Sequence, residues 1–282
     1  MSASTTRSRP APAAGTLPSA ARDGLVIMWR NLKRIPRIPE LAIFAVLQSI
    51  MFVVLFAYVF GGAIPLPGYP PDPKYYREYL MPGIFAQTIV FAAGTTAIGM
   101  ADDIGKGIID RFRSLPMARS AVLSGRSLAD VIYNGGILIV LMVSGVAVGW
   151  TVHTGIGALL AGIGLLLLFA FAMAWLGIFL GLSVPTVEVA QQAIFTVLFP
   201  ITFISNVFVP PGTLPSWLQF VAEWNPTSTL TSSLRQLWGN PNPYATDSFP
   251  SQNPVLVTLI WVVVFIVVFA PLGIRRYRSM SR

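Results

Sequence analysis

The chain has 282 residues, of which 54% are hydrophobic and only 11% are charged, and its formal net charge is +8 at pH 7. Because a globular domain carries about 25% charged residues, this composition excludes an ordinary soluble domain and favours a protein that lies in a membrane. The sequence contains no cysteine, which excludes disulfides and thiolate metal or redox sites within this chain.

Two segments precede the first long hydrophobic block. Residues 1–21 are rich in Ser, Ala, Thr and Pro, which predicts a disordered cytoplasmic tail. Residues 22–40 are basic and predict an amphipathic helix that lies at the membrane interface. The apolar positions of this helix recur at i, i+3, i+4 and i+7: Leu25, Met28, Trp29 and Leu32.

Six uncharged blocks then follow in a transmembrane domain over residues 41–273, before a basic cytoplasmic tail over residues 274–282. A helix needs roughly 20 apolar residues to cross a bilayer, and it satisfies its own backbone hydrogen bonds there. We therefore predict an all-α integral membrane protein with six transmembrane helices. The six blocks cover residues 41–60, 80–100, 131–150, 157–182, 189–209 and 255–273.

The basic residues predict the orientation. Sixteen lie before the first block, between the second and third blocks, or after the last block, and three lie on the opposite face: Lys74, Arg77 and Arg235. Because cytoplasmic loops are enriched in Lys and Arg, both termini are predicted to be cytoplasmic. The charge thus indicates topology, and we expect no nucleic-acid partner, since no base-reading residues accompany it.

The loop before the last block, residues 210–254, is predicted to face outward and has an apolar side that includes Trp217, Phe220 and Trp224. Residues 227–238 form a second amphipathic piece after Asn225-Pro226. Two short helices that are re-entrant or interfacial fit this pattern. Surface helices without a role in transport remain the alternative.

The residues indicate little chemistry of their own. The six blocks contain no carboxylate, which argues against ion-coupled transport. A P-loop requires GxxxxGK[ST], and Gly105-Lys106 has Met100 where the first Gly belongs. The single histidine, His153, is predicted to be a solvated loop residue. We therefore expect no enzyme activity, metal or cofactor in this chain. Gly177 and Gly181 predict close helix packing within the monomer.

The second and third blocks are separated by a basic polar segment, RFRSLPMARSAVLSGRSLAD, residues 111–130. Together with the amphipathic helix and the six blocks, this segment resembles permeases of the ABC-2 type. Residues 208–240, FVPPGTLPSWLQFVAEWNPTSTLTSSLRQLWGN, resemble the segment before the last helix in the daunorubicin/doxorubicin-resistance branch. The resemblance covers residues 22–278.

The resemblance implies the membrane half of an ATP-driven exporter in a bacterial cytoplasmic membrane. ATP and Mg would be bound by separate ABC ATPase subunits, and a second permease subunit, identical or paralogous, would complete the transporter. Residues 106–119 would form a cytoplasmic coupling helix that rests on the ATPase. The contact residues implied there are Arg111, Phe112, Arg113, Leu115 and Pro116.

The resemblance also implies a substrate path between the second and fifth spans of two permease subunits. Its candidate lining residues are Gln87, Phe91, Thr95, Gln192, Phe195, Phe199 and Asn206. Ordinary helix packing is the alternative role of each. An apolar path with scattered amides favours amphipathic substrates, drugs or lipid-like compounds. Two alternatives stay open: export of an endogenous glycolipid or polyketide with incidental drug resistance, and a membrane scaffold without transport.

Overall fold

The computed structural model describes residues 17–33, 39–60, 66–109, 119–207 and 211–280. Within these ranges every regular element is helical, which confirms the all-α prediction. The first five helices are α1 (Leu17–Leu32), α2 (Pro39–Leu55, extended by a π-helical turn over Phe56–Phe60), α3 (Pro73–Gly105), α4 (Arg119–Ala147) and α5 (Ile156–Ser183). The remaining helices are α6 (Val187–Phe203), α7 (Ser216–Trp224), α8 (Pro226–Trp238), α9 (Phe249–Gln252) and α10 (Pro254–Ser279).

Four of the described helices, α3, α4, α5 and α10, are long and apolar enough to cross a membrane. Helices α2 and α6 are apolar but shorter, at 17 residues each. Since a helix rises about 1.5 Å per residue, 17 residues span about 26 Å, close to the thickness of a bilayer core. The structure thus gives a helical membrane protein, and the count of six spans stays a prediction.

Helix α3 lies at the centre of the fold and is buried along most of its length. It packs on α5 where a Cβ atom at Gly177 or Gly181 would overlap the backbone carbonyl of Ala93 or Ala97. The small side chains are therefore what allows the two backbones to approach. This confirms the close packing predicted from the spacing of these two glycines.

The long helices extend beyond the predicted hydrophobic blocks. Helix α4 starts at Arg119, so residues 119–130 form its first turns and not part of a loop. Helix α3 starts at Pro73 after the N-cap Asp72, whose carboxylate accepts a hydrogen bond from the backbone N–H of Lys74. Hydropathy locates the part of a helix that can lie in lipid, whereas caps and side-chain pairs set its ends, and this difference explains the shift.

Helix α1 corresponds to the amphipathic helix predicted over residues 22–40, but it covers Leu17–Leu32 and so starts within the segment predicted to be a disordered tail. It has two distinct apolar faces. Gly24 and Ile27 pack on α4, where a Cβ atom at Gly125 would overlap the carbonyl of Gly24. Leu25 and Trp29, on the predicted apolar face, remain exposed, with Trp29 at 59%. One face therefore attaches α1 to the helical core, whereas the neighbouring apolar face is exposed in the described part of the chain.

The two short helices predicted before the last span are α7 and α8. Helix α7 exposes Trp217 at 71% together with Phe220. Helix α8 is buried along nearly its whole length. It begins at the N-cap Asn225 and ends at Gly239, whose φ of 67° is the left-handed conformation that glycine adopts readily. α8 therefore lies inside the protein, whereas α7 presents aromatic rings at its surface.

Candidate functional site

A cavity of about 500 Å³ lies between α2, α3, α4 and α6. On each helix its lining residues recur three or four positions apart, as residues on one helical face do. Helices α2 and α3 contribute Gln48, Phe52, Ile84, Gln87, Thr88, Phe91, Ala92 and Thr95. Helices α4 and α6 contribute Tyr133, Asn134, Ile137, Phe195, Phe199 and Phe203.

Aromatic rings form much of the cavity wall. On α6, the ring centroids of Phe195 and Phe199 are 4.9 Å apart, and those of Phe199 and Phe203 are 4.2 Å apart, both pairs stacked. All three side chains are well exposed in the single chain. Phe91 and Tyr133 add rings from α3 and α4. The wall therefore offers flat apolar surfaces that suit aromatic or other hydrophobic groups.

Two amides supply the polar character of the cavity. Gln87 and Asn134 are each only 6% exposed, and neither side chain is hydrogen-bonded within the part of the chain that the structure describes. Thr88 and Thr95 differ, since their hydroxyls donate 2.8 Å bonds to Ile84 O and Ala92 O of their own helix. Buried amides without partners are costly, so these two are well placed to hydrogen-bond a ligand.

The structure brings together five of the seven residues predicted for the substrate path: Gln87, Phe91, Thr95, Phe195 and Phe199. Gln192 is exposed on α6 and does not line the cavity. Asn206 is also absent from the cavity wall, because it is buried in contacts with other helices. Its backbone carbonyl accepts a 3.0 Å bond from the Tyr79 hydroxyl, and its Nδ2 donates a 2.7 Å bond to Ser232.

Sequence reasoning assigned no path residue to α2 or α4. The structure adds Gln48 and Phe52 from α2, and Tyr133, Asn134 and Ile137 from α4. The sequence does contain an indication of these positions, because Asn134 and Gln48 are rare polar residues inside apolar blocks. Tyr133, Asn134 and Ile137 also share one helical face.

The predicted coupling residues Arg111, Phe112, Arg113, Leu115 and Pro116 lie outside the described residues. The described chain ends at Ile109, four residues after the end of α3, and resumes at Arg119 with α4. Their role as contacts of an ATPase stays a prediction.

A charged cluster links α3 to α4 on the side of the cavity nearest this segment. Arg126 Nη1 donates a 2.8 Å bond to Asp103 Oδ2, and Arg126 Nε lies 3.4 Å from the carboxylate of Asp130. The Thr96 hydroxyl donates a 2.8 Å bond to Asp130 Oδ2. No carboxylate was expected within the spans, but α4 includes Asp130 because the helix continues past the apolar block.

A second polar cluster lies near the start of α3. His153, predicted to be solvated, places Nε2 2.8 Å from Oε2 of the buried Glu78, and its side chain is 45% exposed. Thr151 donates a 2.7 Å bond to the same carboxylate. The loop between α4 and α5 is thus attached to α3 through Glu78.

Arg235 of α8 is fully buried, and within the described chain it pairs with no carboxylate. Its Nε donates a 3.0 Å bond to the carbonyl of Tyr79, and Nη1 and Nη2 lie 3.4 Å from the carbonyl of Asn206. Burial lowers the pKa of Arg235 from its ordinary value, while Tyr79 acts to raise it. Backbone carbonyls therefore take the place of an anion around this cation.

Long apolar helices around a cavity with two unpartnered amides define the class: an α-helical, multi-pass membrane protein of the transporter type. The chain belongs to the ABC-2 type transporter family, which matches residues 23–238. Members of this family are membrane transport components that work with an ABC ATPase.

Individual relatives agree with this assignment. The chain is 31% identical over 270 residues to the daunorubicin resistance ABC transporter permease protein DrrB1 of Streptomyces coeruleorubidus, covering 96% of this chain and 90% of that protein. It is 23% identical over 216 residues to the putative transport permease ycf38 of Cyanophora paradoxa, covering 76% and 73% of the two chains. The ycf38 protein of Porphyra purpurea is 22% identical over 223 residues, covering 79% and 76%.

Proposed function

We propose that this chain is the permease subunit of an ATP-driven ABC exporter that moves hydrophobic or amphipathic compounds across a bacterial cytoplasmic membrane. These compounds include drugs, lipids and glycolipids. Family membership supports a permease. Similarity over nearly the whole chain to a daunorubicin-resistance permease supports drug-like substrates.

One observation carries the substrate proposal: the chemistry of the cavity. Its wall combines aromatic rings with the amides of Gln87 and Asn134, and the described residues that line it include no charged side chain. Sugars and ions need dense polar or charged coordination, which this wall does not offer. An amphipathic molecule would bury its apolar part on the rings and hydrogen-bond the amides.

The proposed topology has six spans, formed by α2, α3, α4, α5, α6 and α10. Helices α2 and α6 would complete the set, since α2 continues into a π-helical turn and both are strongly apolar. The distribution of basic residues supports cytoplasmic termini. Helix α1 would then lie on the inner leaflet, with Leu25 and Trp29 toward lipid.

The proposed assembly contains two permease subunits and two ATPase subunits, with ATP and Mg bound by the ATPases. The segment between α3 and α4 would contact the ATPase through Phe112, Leu115 and the neighbouring arginines. A second permease would cover the open side of the cavity, where Phe195 and Phe199 are exposed in the single chain. This chain would contribute no nucleotide site.

The test is co-purification of the chain with its ATPase, followed by ATP hydrolysis in lipid with and without amphipathic compounds. Stimulation of hydrolysis by such a compound, together with its transport into inside-out vesicles, supports the proposal. The matched control is the same complex with the ATPase inactivated. A complex that forms but neither responds to compounds nor moves them would favour a scaffold.

A further inference from the structure

Helix α1 carries an apolar stripe on its exposed face. Leu25, Val26 and Trp29 are each more than half exposed, and their spacing places them on one side of the helix. The side that carries Gly24 packs on α4, where a Cβ atom at Gly125 would overlap the carbonyl of Gly24. Because so close a contact leaves α1 little freedom to rotate, the stripe points in a fixed direction away from α4.

A basic residue lies at each end of this stripe. Arg22 precedes Val26 by four positions and Lys33 follows Trp29 by four, which places both on the face of the stripe. Both are exposed, and within the described residues neither pairs with a carboxylate. Lys33 Nζ lies 5.3 Å from the centroid of the Trp29 ring, so the cation and the ring are presented together.

The stripe carries no opposing charge. Asp23 is the one acidic residue of α1, and it lies four positions before Ile27, which is buried against α4. Asp23 therefore lies toward the packed side of the helix. The exposed face combines apolar side chains with positive charge, which is typical of helices that bind the surface of anionic membranes.

The short connection to α2 keeps this face beside the membrane. Five residues separate Lys33 from Pro39, the start of α2, and a chain of this length spans at most about 20 Å. Helix α2 is strongly apolar and is one of the six proposed spans. Since α1 cannot move far from the bilayer surface, a lipid is favoured over a soluble acidic protein as the partner of the stripe.

We propose that the stripe binds anionic phospholipids of the inner leaflet, with its two basic residues against the phosphate headgroups and its apolar side chains among the upper acyl chains. The inference rests on the proposed topology and goes beyond the proposed function, because it assigns a class of lipid as the partner of α1. Phosphatidylcholine offers the same acyl chains without a net negative charge. The stripe therefore prefers phosphatidylglycerol to phosphatidylcholine.

The test measures which phospholipid contacts the stripe in the full chain. The sequence has no cysteine, so Val26→Cys introduces a single site for the fluorophore NBD. The labelled protein is placed in phosphatidylcholine nanodiscs that contain a small fraction of a doxyl-labelled lipid, which quenches NBD on contact. At low salt we expect doxyl-phosphatidylglycerol to be enriched about fivefold at the label over doxyl-phosphatidylcholine, the effect of one basic residue near an anionic headgroup. The enrichment should fade at high salt.

Further variants of the labelled protein separate this site from a general effect of charge. The double change Arg22→Gln, Lys33→Gln should reduce the enrichment to less than about twofold, whereas the exchange Arg22→Lys, Lys33→Arg should keep it. Arg275→Gln removes an exposed cation from α10 and should also keep it. Equal loss in Arg275→Gln and in the double variant would overturn the site, since net charge alone would then explain the preference.

The position of the label provides a second control. NBD at Ile156→Cys, an exposed position of α5 on the predicted outer side, should be quenched equally by the two lipids. Enrichment of phosphatidylglycerol there that matches the enrichment at Val26→Cys would show that the preference belongs to the whole protein, and it would overturn the assignment to α1.

The remaining outcomes also decide the inference. Equal quenching of the Val26→Cys label by the two lipids would leave α1 at the membrane and overturn its preference for anionic lipid. A label that neither lipid quenches would exclude lipid as the occupant, and a change in its emission on addition of the ATPase would assign the face to that partner. None of these measurements requires transport, so their failure is distinct from failure of the proposed function, which is judged by compound-stimulated ATP hydrolysis.

Discussion

The guanidinium of Arg235 stacks on the ring of Tyr79 at 3.7 Å and also donates a hydrogen bond from Nε to the backbone carbonyl of the same tyrosine. One residue of α8 is thus attached twice to one residue of α3. The Tyr79 hydroxyl in turn donates to the carbonyl of Asn206, which Arg235 also approaches. These contacts fix the buried α8 to the centre of the fold.

Replacement of Arg235 by lysine is therefore expected to destabilise the protein despite the conserved charge. Lysine lacks the planar fork that stacks on Tyr79 and reaches two carbonyls at once. Loss of the stack and of charged hydrogen bonds should lower the free energy of unfolding by about 3 kcal/mol. Thermal unfolding of the detergent-purified variant measures the effect. Arg275→Lys, at an exposed position of α10, is the control, and equal stability of the two variants would contradict this role.

The helical fold could be predicted from the sequence because lipid imposes a simple rule on apolar blocks. The ends of helices could not, since they depend on side chains outside those blocks. Residues 119–130 show this: they are polar enough to resemble a loop, yet they form the first turns of α4. Ser124 and Ser127 bond back to carbonyls of their own helix there, and α1 covers Gly125.

The cavity could be predicted in part. The aromatic residues of α6 and the polar residues of α3 recur at helical spacing, which identifies a face but not the neighbour that covers it. The contributions of α2 and α4 depend on tertiary packing, and no local pattern specifies it. Asn206 illustrates the limit, because a polar residue near a span end can equally line a path or, as here, hold a neighbouring helix.

Gly177→Ala is expected to lower stability even though alanine is the better helix former. The added Cβ atom would overlap the carbonyl of Ala93 and force α3 and α5 apart. Overpacking of this kind costs about 1–3 kcal/mol. The control on the same helix is Gly164→Ala, since a Cβ atom there meets nothing within 4 Å. Wild type and Gly164→Ala should unfold at similar temperatures, and Gly177→Ala should unfold at a lower one. A Gly177→Ala variant that unfolds at the same or a higher temperature than Gly164→Ala would refute the close crossing.

Phe199→Ala is expected to impair handling of amphipathic compounds while it leaves folding intact. Phe199 lies in the cavity wall and stacks on both Phe195 and Phe203, yet it is exposed in the single chain. Loss of one aromatic contact should cost about 1–2 kcal/mol of binding free energy. Compound binding should therefore weaken roughly tenfold. Compound-stimulated ATP hydrolysis of the complex gives the measurement. Phe249→Ala, an exposed aromatic residue away from the cavity, should behave as wild type.

The six-span topology predicts that an epitope tag after Arg282 is accessible only from the cytoplasm, whereas a tag inserted beside Asp247 is accessible only from outside. The physical reason is the strong retention of basic segments on the cytoplasmic side. Labelling of intact and permeabilised cells distinguishes the two positions. Labelling of both tags in intact cells would exclude the six-span topology, because two tags on the same face require an even number of crossings between them, whereas six spans with cytoplasmic termini place one crossing there.

The segment between α3 and α4 is expected to bind the ATPase mainly through apolar side chains. Phe112 and Leu115 lie among basic residues in the sequence, and apolar residues in such a setting favour a surface that a partner covers. Buried apolar anchors contribute about 1–3 kcal/mol each at interfaces, so the double change Phe112→Ala, Leu115→Ala should reduce ATPase affinity by roughly tenfold or more.

Neutralising the two neighbouring arginines, with Arg111→Gln and Arg113→Gln, should have a milder effect that fades as salt is raised, because exposed ion pairs are worth about 0–1 kcal/mol and are screened. Pull-down of the ATPase at low and high salt compares the two double variants, and membrane integration is the control for folding. If the apolar variant keeps full ATPase binding while the arginine variant loses it at every salt concentration, the contact is electrostatic, and the apolar anchors assigned to this segment are wrong.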